Sequence, residues 1–223
     1  MQNRDNSEKH GMSLFLKKFV QDAAIGIWEI NESVEDMYAR IHLSEDEEKI
    51  FSSLKTRTRK QHWLAYRMIL PYLVRDHELS AICYDEYGKP YLNNGVRHIS
   101  VSHSGKYSAL IASPKYTVGI DIERMEEKIK RIEHKFLNES EMFENGKGLS
   151  IEQLYIIWAA KETLYKLHGK RDILFREHIY IEPFNVQEQG LVYGTIKTDY
   201  DEKIYPVEYQ MLDDYILAYA LDK

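Results

Sequence analysis

The segment Val118-Gly119-Ile120-Asp121-Ile122-Glu123 limits the fold of this chain more tightly than any other. Isoleucines at 120 and 122 alternate with carboxylates at 121 and 123, the two-residue period of a β-strand. Such a strand buries one face and projects Asp121 and Glu123 together from the other. Two same-side carboxylates on rigid backbone suit a hard, oxygen-preferring cation such as Mg2+. They equally suit a half-buried strand whose acidic face is solvated. Gly119, just ahead of them, permits close approach by a backbone or a ligand.

Around this strand one order of elements runs twice. Leu14 to Val20 and Ala23 to Ile30 read as strands, and Ser33 to Ile41 and Glu45 to Leu54 as amphipathic helices, the second N-capped by Ser44. A longer helix runs from Arg57 towards Arg75, with Pro71 as a kink or break. Tyr87-Gly88-Lys89-Pro90 and Asn93-Asn94-Gly95 are turn signals. His98 to Val101 and Tyr107 to Ala112 read as paired strands joined through Ser102-His103-Ser104-Gly105. Beyond the acidic strand come two helices between Glu127 and Asn145, a loose Gly146-Lys147-Gly148, and a long helix from Ser150 to His168 ended by Gly169. Strands at His178 to Ile181, Gly190 to Thr198, Tyr205 to Met211 and Tyr215 to Leu221 close the chain. No long Pro- or Ser-rich linker divides the halves. The expectation is an α+β pseudo-dimer of two similar α/β subdomains, residues 1–112 and 113–223, each a small antiparallel sheet packed with helices.

Composition narrows the function classes. Hydrophobic residues make up 43% and charged residues 30% of 223, enough for a globular chain with a real core. The formal net charge of -6 argues against broad nucleic-acid binding, although residues 56–67 are locally basic. A single cysteine, Cys83, allows no internal disulfide and fits a reducing compartment. No apolar run approaches the ~20 residues a membrane span needs. Ser13 to Val20 is interrupted by Lys17 and Lys18 and makes a poor signal peptide. A cytoplasmic protein with neither nucleic-acid nor membrane partners is expected.

The second informative stretch is Trp158-Ala159-Ala160-Lys161-Glu162-Thr163-Leu164-Tyr165-Lys166. Glu162 and Lys166 lie four apart and share a helix face. Taken alone they read as a surface ion pair worth a few tenths of a kcal/mol. Beside Asp121 and Glu123 they read as a third carboxylate with a fixed ammonium, an arrangement suited to a bound pyrophosphate.

The acidic strand and the WAAKETLYK helix, with Tyr-Gly-Lys-Pro and Ser-His-Ser-Gly upstream of them, resemble the 4′-phosphopantetheinyl transferases of the monomeric surfactin-synthetase-activating type. The resemblance runs from about Arg57 to Gly169. It implies that Asp121, Glu123 and Glu162 hold Mg2+, or Mn2+ in its place, against the pyrophosphate of the substrate coenzyme A. Lys166 then stabilises the transferring phosphate or protonates the departing one. Ser102 and His103 meet the coenzyme A phosphates, while Lys89 and Pro90 line the adenine side. Glu141 takes the place of a general base, with Glu139 and Glu144 as competing registers. Among Arg57, Arg59, Lys60 and Arg67, Arg57 comes first as a ligand of the 3′-phosphate. The implied acceptor is a serine on an acidic apo-acyl or peptidyl carrier protein, docked near Lys147, Lys170 and Arg171. The implied alternative is a non-catalytic coenzyme A or carrier-binding module of the same fold.

Overall fold

The computed structural model describes residues 13–74, 81–93, 98–142 and 148–223. Strand β1 (Leu14–Val20) turns at Gln21, whose φ is 52°, into β2 (Ala23–Glu29). Short helix α1 (Val34–Tyr38) and α2 (Glu45–Ser53) follow, the latter opened by a reciprocal Ser44–Glu47 capping box. Helix α3 (Arg57–Leu73) leads to β3 (Ile82–Tyr84), β4 (Pro90–Leu92), β5 (His98–Ser104) and β6 (Tyr107–Ser113). These strands form one antiparallel sheet in the order β1-β2-β6-β5-β4-β3.

The second sheet begins with β7 (Thr117–Arg124), the acidic strand. A 3-10 turn over Glu127–Arg131, a single helical turn α4 (Glu133–Phe136) and another 3-10 turn over Glu139–Glu141 connect to α5 (Ile151–His168). Then come α6 (Phe175–His178), β8 (Ile179–Ile181), β9 (Gln189–Lys197), β10 (Glu202–Leu212) and β11 (Tyr215–Asp222). The antiparallel order is β7-β11-β10-β9-β8, so β7 is an edge strand.

Side-chain alternation explains how the sheets stack. On β2, Ala24 and Trp28 join α3 in a core with Leu64, Ile69, Ile99 and Leu110, while Ile25 and Ile27 point the other way. There they meet Val118, Ile120 and Ile122 of β7 and Leu217 and Tyr219 of β11. The opposite face of β11, at Ile216, Ala218 and Ala220, packs on Ile156, Ala160 and Leu164 of α5. The result is helix, sheet, sheet, helix: an α+β fold of two similar subdomains, each sheet covered by its own long helix.

Two expectations need correction. The region after Glu127 forms one-turn pieces rather than two helices, because its run of Glu, Lys and Arg offers only isolated apolar anchors such as Ile129 and Phe136. Pro71 does not stop α3, which continues to Leu73; near a helix end a missing N–H costs little of the ladder. The readings at Met1 to His10, Arg75, Asn94, Gly95, Glu144, Gly146 and Lys147 lie outside the described residues.

Gly119 shows why β7 and α5 form one unit. A Cβ built there would lie 2.1 Å from the carbonyl oxygen of Thr163 and 3.1 Å from the backbone nitrogen of Leu167. The close approach foreseen at this glycine is therefore to helix backbone. Neither partner can rotate aside, so Gly119→Ala is expected to destabilise the protein by about 3 kcal/mol, the upper range for overpacking. Chemical denaturation would check this, and a loss below about 0.5 kcal/mol would show that strand and helix separate easily.

Candidate active site

The face of β7 opposite the inter-sheet core turns its carboxylates towards α5. Asp121 is 2% exposed, and its Oδ1 accepts from Ser102 Oγ at 2.7 Å and from Lys166 Nζ at 2.7 Å. Lys166 Nζ also donates to Ser102 Oγ at 2.9 Å and to the Ile120 carbonyl at 3.2 Å. Glu123 accepts from Ser104 Oγ at 2.9 Å through Oε2 and from Trp158 Nε1 at 3.3 Å through Oε1. Strand β5 thus contributes Ser102 and Ser104 from one sheet, while β7 and α5 contribute the charges from the other. Ser100 extends the ladder by accepting the Ile120 N–H, and Ser104 accepts that of Arg124. These hydroxyls satisfy edge donors of β7 that would otherwise be orphaned.

The electrostatics are those of an acidic site short of counter-charge. Burial, and then the Asp121 carboxylate, push Glu162 up to about 7 against the opposing pull of Lys166. The same two causes raise Glu123. Asp121 Oδ2 is buried with no hydrogen-bond partner. Glu162 has charged neighbours but, among the described residues, no hydrogen-bond partner. Three carboxylates facing one ammonium, with Asp121 Oδ2 and both Glu162 oxygens left without hydrogen bonds, fit a hard divalent cation. They do not form a closed cage: among the described residues no three His, Cys, Asp or Glu side chains stand grouped to hold an ion by themselves. That openness suits Mg2+, which is ordinarily held by one or two carboxylates together with waters and substrate phosphates.

A pH dependence follows. A carboxyl with a raised folded value binds its proton more tightly when folded, so its stabilising contribution is complete below 4.5 and is lost as pH rises through about 7. Added Mg2+ is therefore expected to raise the melting temperature more at pH 8 than at pH 5, and Glu162→Gln should flatten the difference. Scanning calorimetry at the two pH values checks this; equal shifts would remove Glu162 from the cation's surroundings.

His103 is exposed at the end of β5, its ring stacked on buried His62 of α3 with centroids 4.3 Å apart and planes 6° from parallel. Desolvation, then His62 and Lys166, holds its imidazole below the usual range in the ligand-free protein. Lys89 reaches across from the Tyr-Gly-Lys-Pro turn and donates to the Leu167 carbonyl at 2.7 Å, capping α5 beside left-handed Gly169. Pro90 begins β4 next to it. Arg171 closes the same seam by donating to the Tyr87 carbonyl at 2.8 Å. Arg57 is engaged elsewhere, in an exposed pair with Glu35 at 2.8 Å. Arg67 is buried against Glu47 and stacked on Trp63, which makes it structural.

Glu141 is a correction. Its carboxylate is fully buried, where Oε2 takes the Lys161 ammonium at 2.7 Å and the Asn138 N–H at 3.0 Å, and Oε1 accepts the Ile181 N–H at 2.8 Å. Lys161 also donates to the Phe136 and Phe175 carbonyls. A carboxylate so committed, with no exposure, holds the 133–141 connection against α5 and β8 and has no oxygen open to a substrate hydroxyl in this structure. Glu139 is exposed on the same turn.

Sequence reasoning missed Ser104, Trp158 and His62. The alternation Ser100, Ser102, Ser104 was a signal for the first, since a two-residue period of small hydroxyls marks one strand face. For His62 the sequence offers none.

Residues 117–220 match the family model described as 4′-phosphopantetheinyl transferase superfamily. The chain is also similar to 4′-phosphopantetheinyl transferase gsp of Aneurinibacillus migulanus, at 32% identity over 89 residues. That stretch covers 39% of this chain and 37% of the relative, so the match spans less than half of either protein.

Proposed function

We propose that this chain, whose residues 117–220 carry the 4′-phosphopantetheinyl transferase superfamily match, moves the phosphopantetheine arm of coenzyme A onto a serine hydroxyl of an apo-carrier protein. The observation that best supports the reading is the Lys166 ammonium on Asp121 Oδ1 while Oδ2 of the same carboxylate, beside Glu123 and Glu162, remains unpartnered. Asp121, Glu123 and Glu162 would hold Mg2+, which when bound offsets charge on the diphosphate. Lys166, tied to strand backbone and Ser102, supplies a fixed positive charge at the phosphoryl group as negative charge shifts to the leaving side. Ser102 fixes Lys166 and Asp121 relative to one another, and His103 offers its ring to a phosphate oxygen. The serine oxygen forms a bond to the β-phosphorus, whose bond to the bridging oxygen breaks. Adenosine 3′,5′-bisphosphate leaves with that electron pair. With Glu141 committed to Lys161 and Ile181, the serine proton is released to water.

Lys89 and Pro90 form the nucleotide side. Arg57 reaches the 3′-phosphate by leaving Glu35, an exposed pair whose loss costs at most about 1 kcal/mol. Lys170 and Arg171, beside the end of α5, face an acidic carrier. Among the described residues no helix is long and apolar enough to cross a membrane.

The test is incubation with coenzyme A, Mg2+ and an apo-carrier, read by intact mass. A metal-dependent gain of one phosphopantetheine on the carrier is expected, and Lys166→Met should slow it about a hundredfold or more. Binding of coenzyme A without transfer would instead support the non-catalytic module.

A further inference from the structure

We infer that His62 is a positioning residue for His103, a rigid platform that sets the plane of the phosphate-facing imidazole; this rests on the proposed coenzyme A site. His62 is 7% exposed and sits on α3, in the other long helix from the one that carries Lys166. Its ring is fixed by donation from Nε2–H to the Gly105 carbonyl at 2.9 Å, inside the Ser-His-Ser-Gly turn itself. Its backbone carbonyl accepts from Ser108 Oγ at 3.3 Å on the returning strand β6. Two attachments thus bind this residue to the turn and the returning arm of the β5–β6 hairpin, and the ring that results lies flat under His103 of the other arm.

The arrangement has a chemical consequence. An exposed histidine on a strand end ordinarily samples several rotamers, each aiming its N–H differently. Stacking at 4.3 Å and 6° retains those in which the His103 ring stays parallel to His62, so its ring edge, and not its face, is offered to a ligand. The groups facing His103 are His62 from α3, Lys166 from α5 and Asp121 from β7. Offset ring stacking is itself worth about 0.5–1.5 kcal/mol, enough to bias a side-chain orientation strongly. Because, among the described residues, no hydrogen bond or ring contact joins His62 to Asp121, Glu123, Glu162 or Lys166, its removal should act on ligand binding more than on the chemical step.

Two variants test this. His62→Leu removes the flat ring, whereas His62→Phe keeps it and loses only the bond to Gly105. In the ligand-free protein, the His103 ring resonances, identified by their disappearance in His103→Gln, should shift in His62→Leu and stay near their original place in His62→Phe. In the transfer assay, KM for coenzyme A should rise about tenfold in His62→Leu with kcat within about threefold, and His62→Phe should recover most of that loss. Unshifted resonances in His62→Leu, an unchanged KM, or a fall in kcat alone would each overturn the platform role. Failure of the unsubstituted protein to transfer would overturn the transferase reading, and the resonance measurement would still decide the stacking.

Discussion

Asp121→Asn is expected to reduce carrier modification by about a thousandfold while the protein stays folded. The amide keeps the volume of the carboxylate and an oxygen for Ser102 and Lys166, so the ladder between β5 and β7 survives. What disappears is one of three negative charges, together with the buried Oδ2 that has no hydrogen-bond partner. Lys166 then faces a weaker counter-charge and competes with any ion brought in by the diphosphate. Single-turnover mass spectrometry of the carrier, with a thermal melt of each variant, separates the two effects. Activity within about tenfold of the parent would mean that Asp121 does not hold the ion.

Glu141→Ala is expected to do the reverse: to cost stability and spare the chemistry of whatever remains folded. The partner it abandons is Lys161, whose side chain is 0% exposed and whose ammonium burial already pulls downward in pKa. Breaking a buried pair by removing one member costs about 3–5 kcal/mol, because the other charge is stranded. For a chain of 223 residues that corresponds to a fall of about 10 °C in melting temperature. Replacing both partners, as Glu141→Leu with Lys161→Met, should return much of the loss. A general base would behave otherwise, with a large fall in kcat and an unchanged melt.

The contrast between these two acids shows what was legible in the sequence. Asp121 and Glu123 declared themselves through a strict two-residue alternation, and the pattern holds because β7 has one face in the inter-sheet core. Helical spacing set Glu162 and Lys166 on one face, but only the resemblance tied them to the acidic strand, where Lys166 is found paired with Asp121. Glu141 could not be read in this way. Its environment is made by Lys161, Ile181 and Asn138, of which two come from elements far along the chain, and a carboxylate on a short charged turn looks the same whether solvated or buried. Lys161 lies next to Glu162 in the motif, yet its ammonium is buried against Glu141 and the Phe136 and Phe175 carbonyls. The paired sheets and both long helices were readable from periodicity. The pieces between Glu127 and Glu141 were not, since their conformation is set by packing rather than by an apolar stripe.

Glu162 is the site carboxylate without a hydrogen bond to hold its torsions, whereas Asp121 and Glu123 are pinned by Ser102, Ser104 and Trp158. Were the three acids to share an ion, as the proposed function has it, any change of ionic radius would have to be met by the torsions of that one side chain, because the other two carboxylates are held in place by strand hydroxyls and an indole.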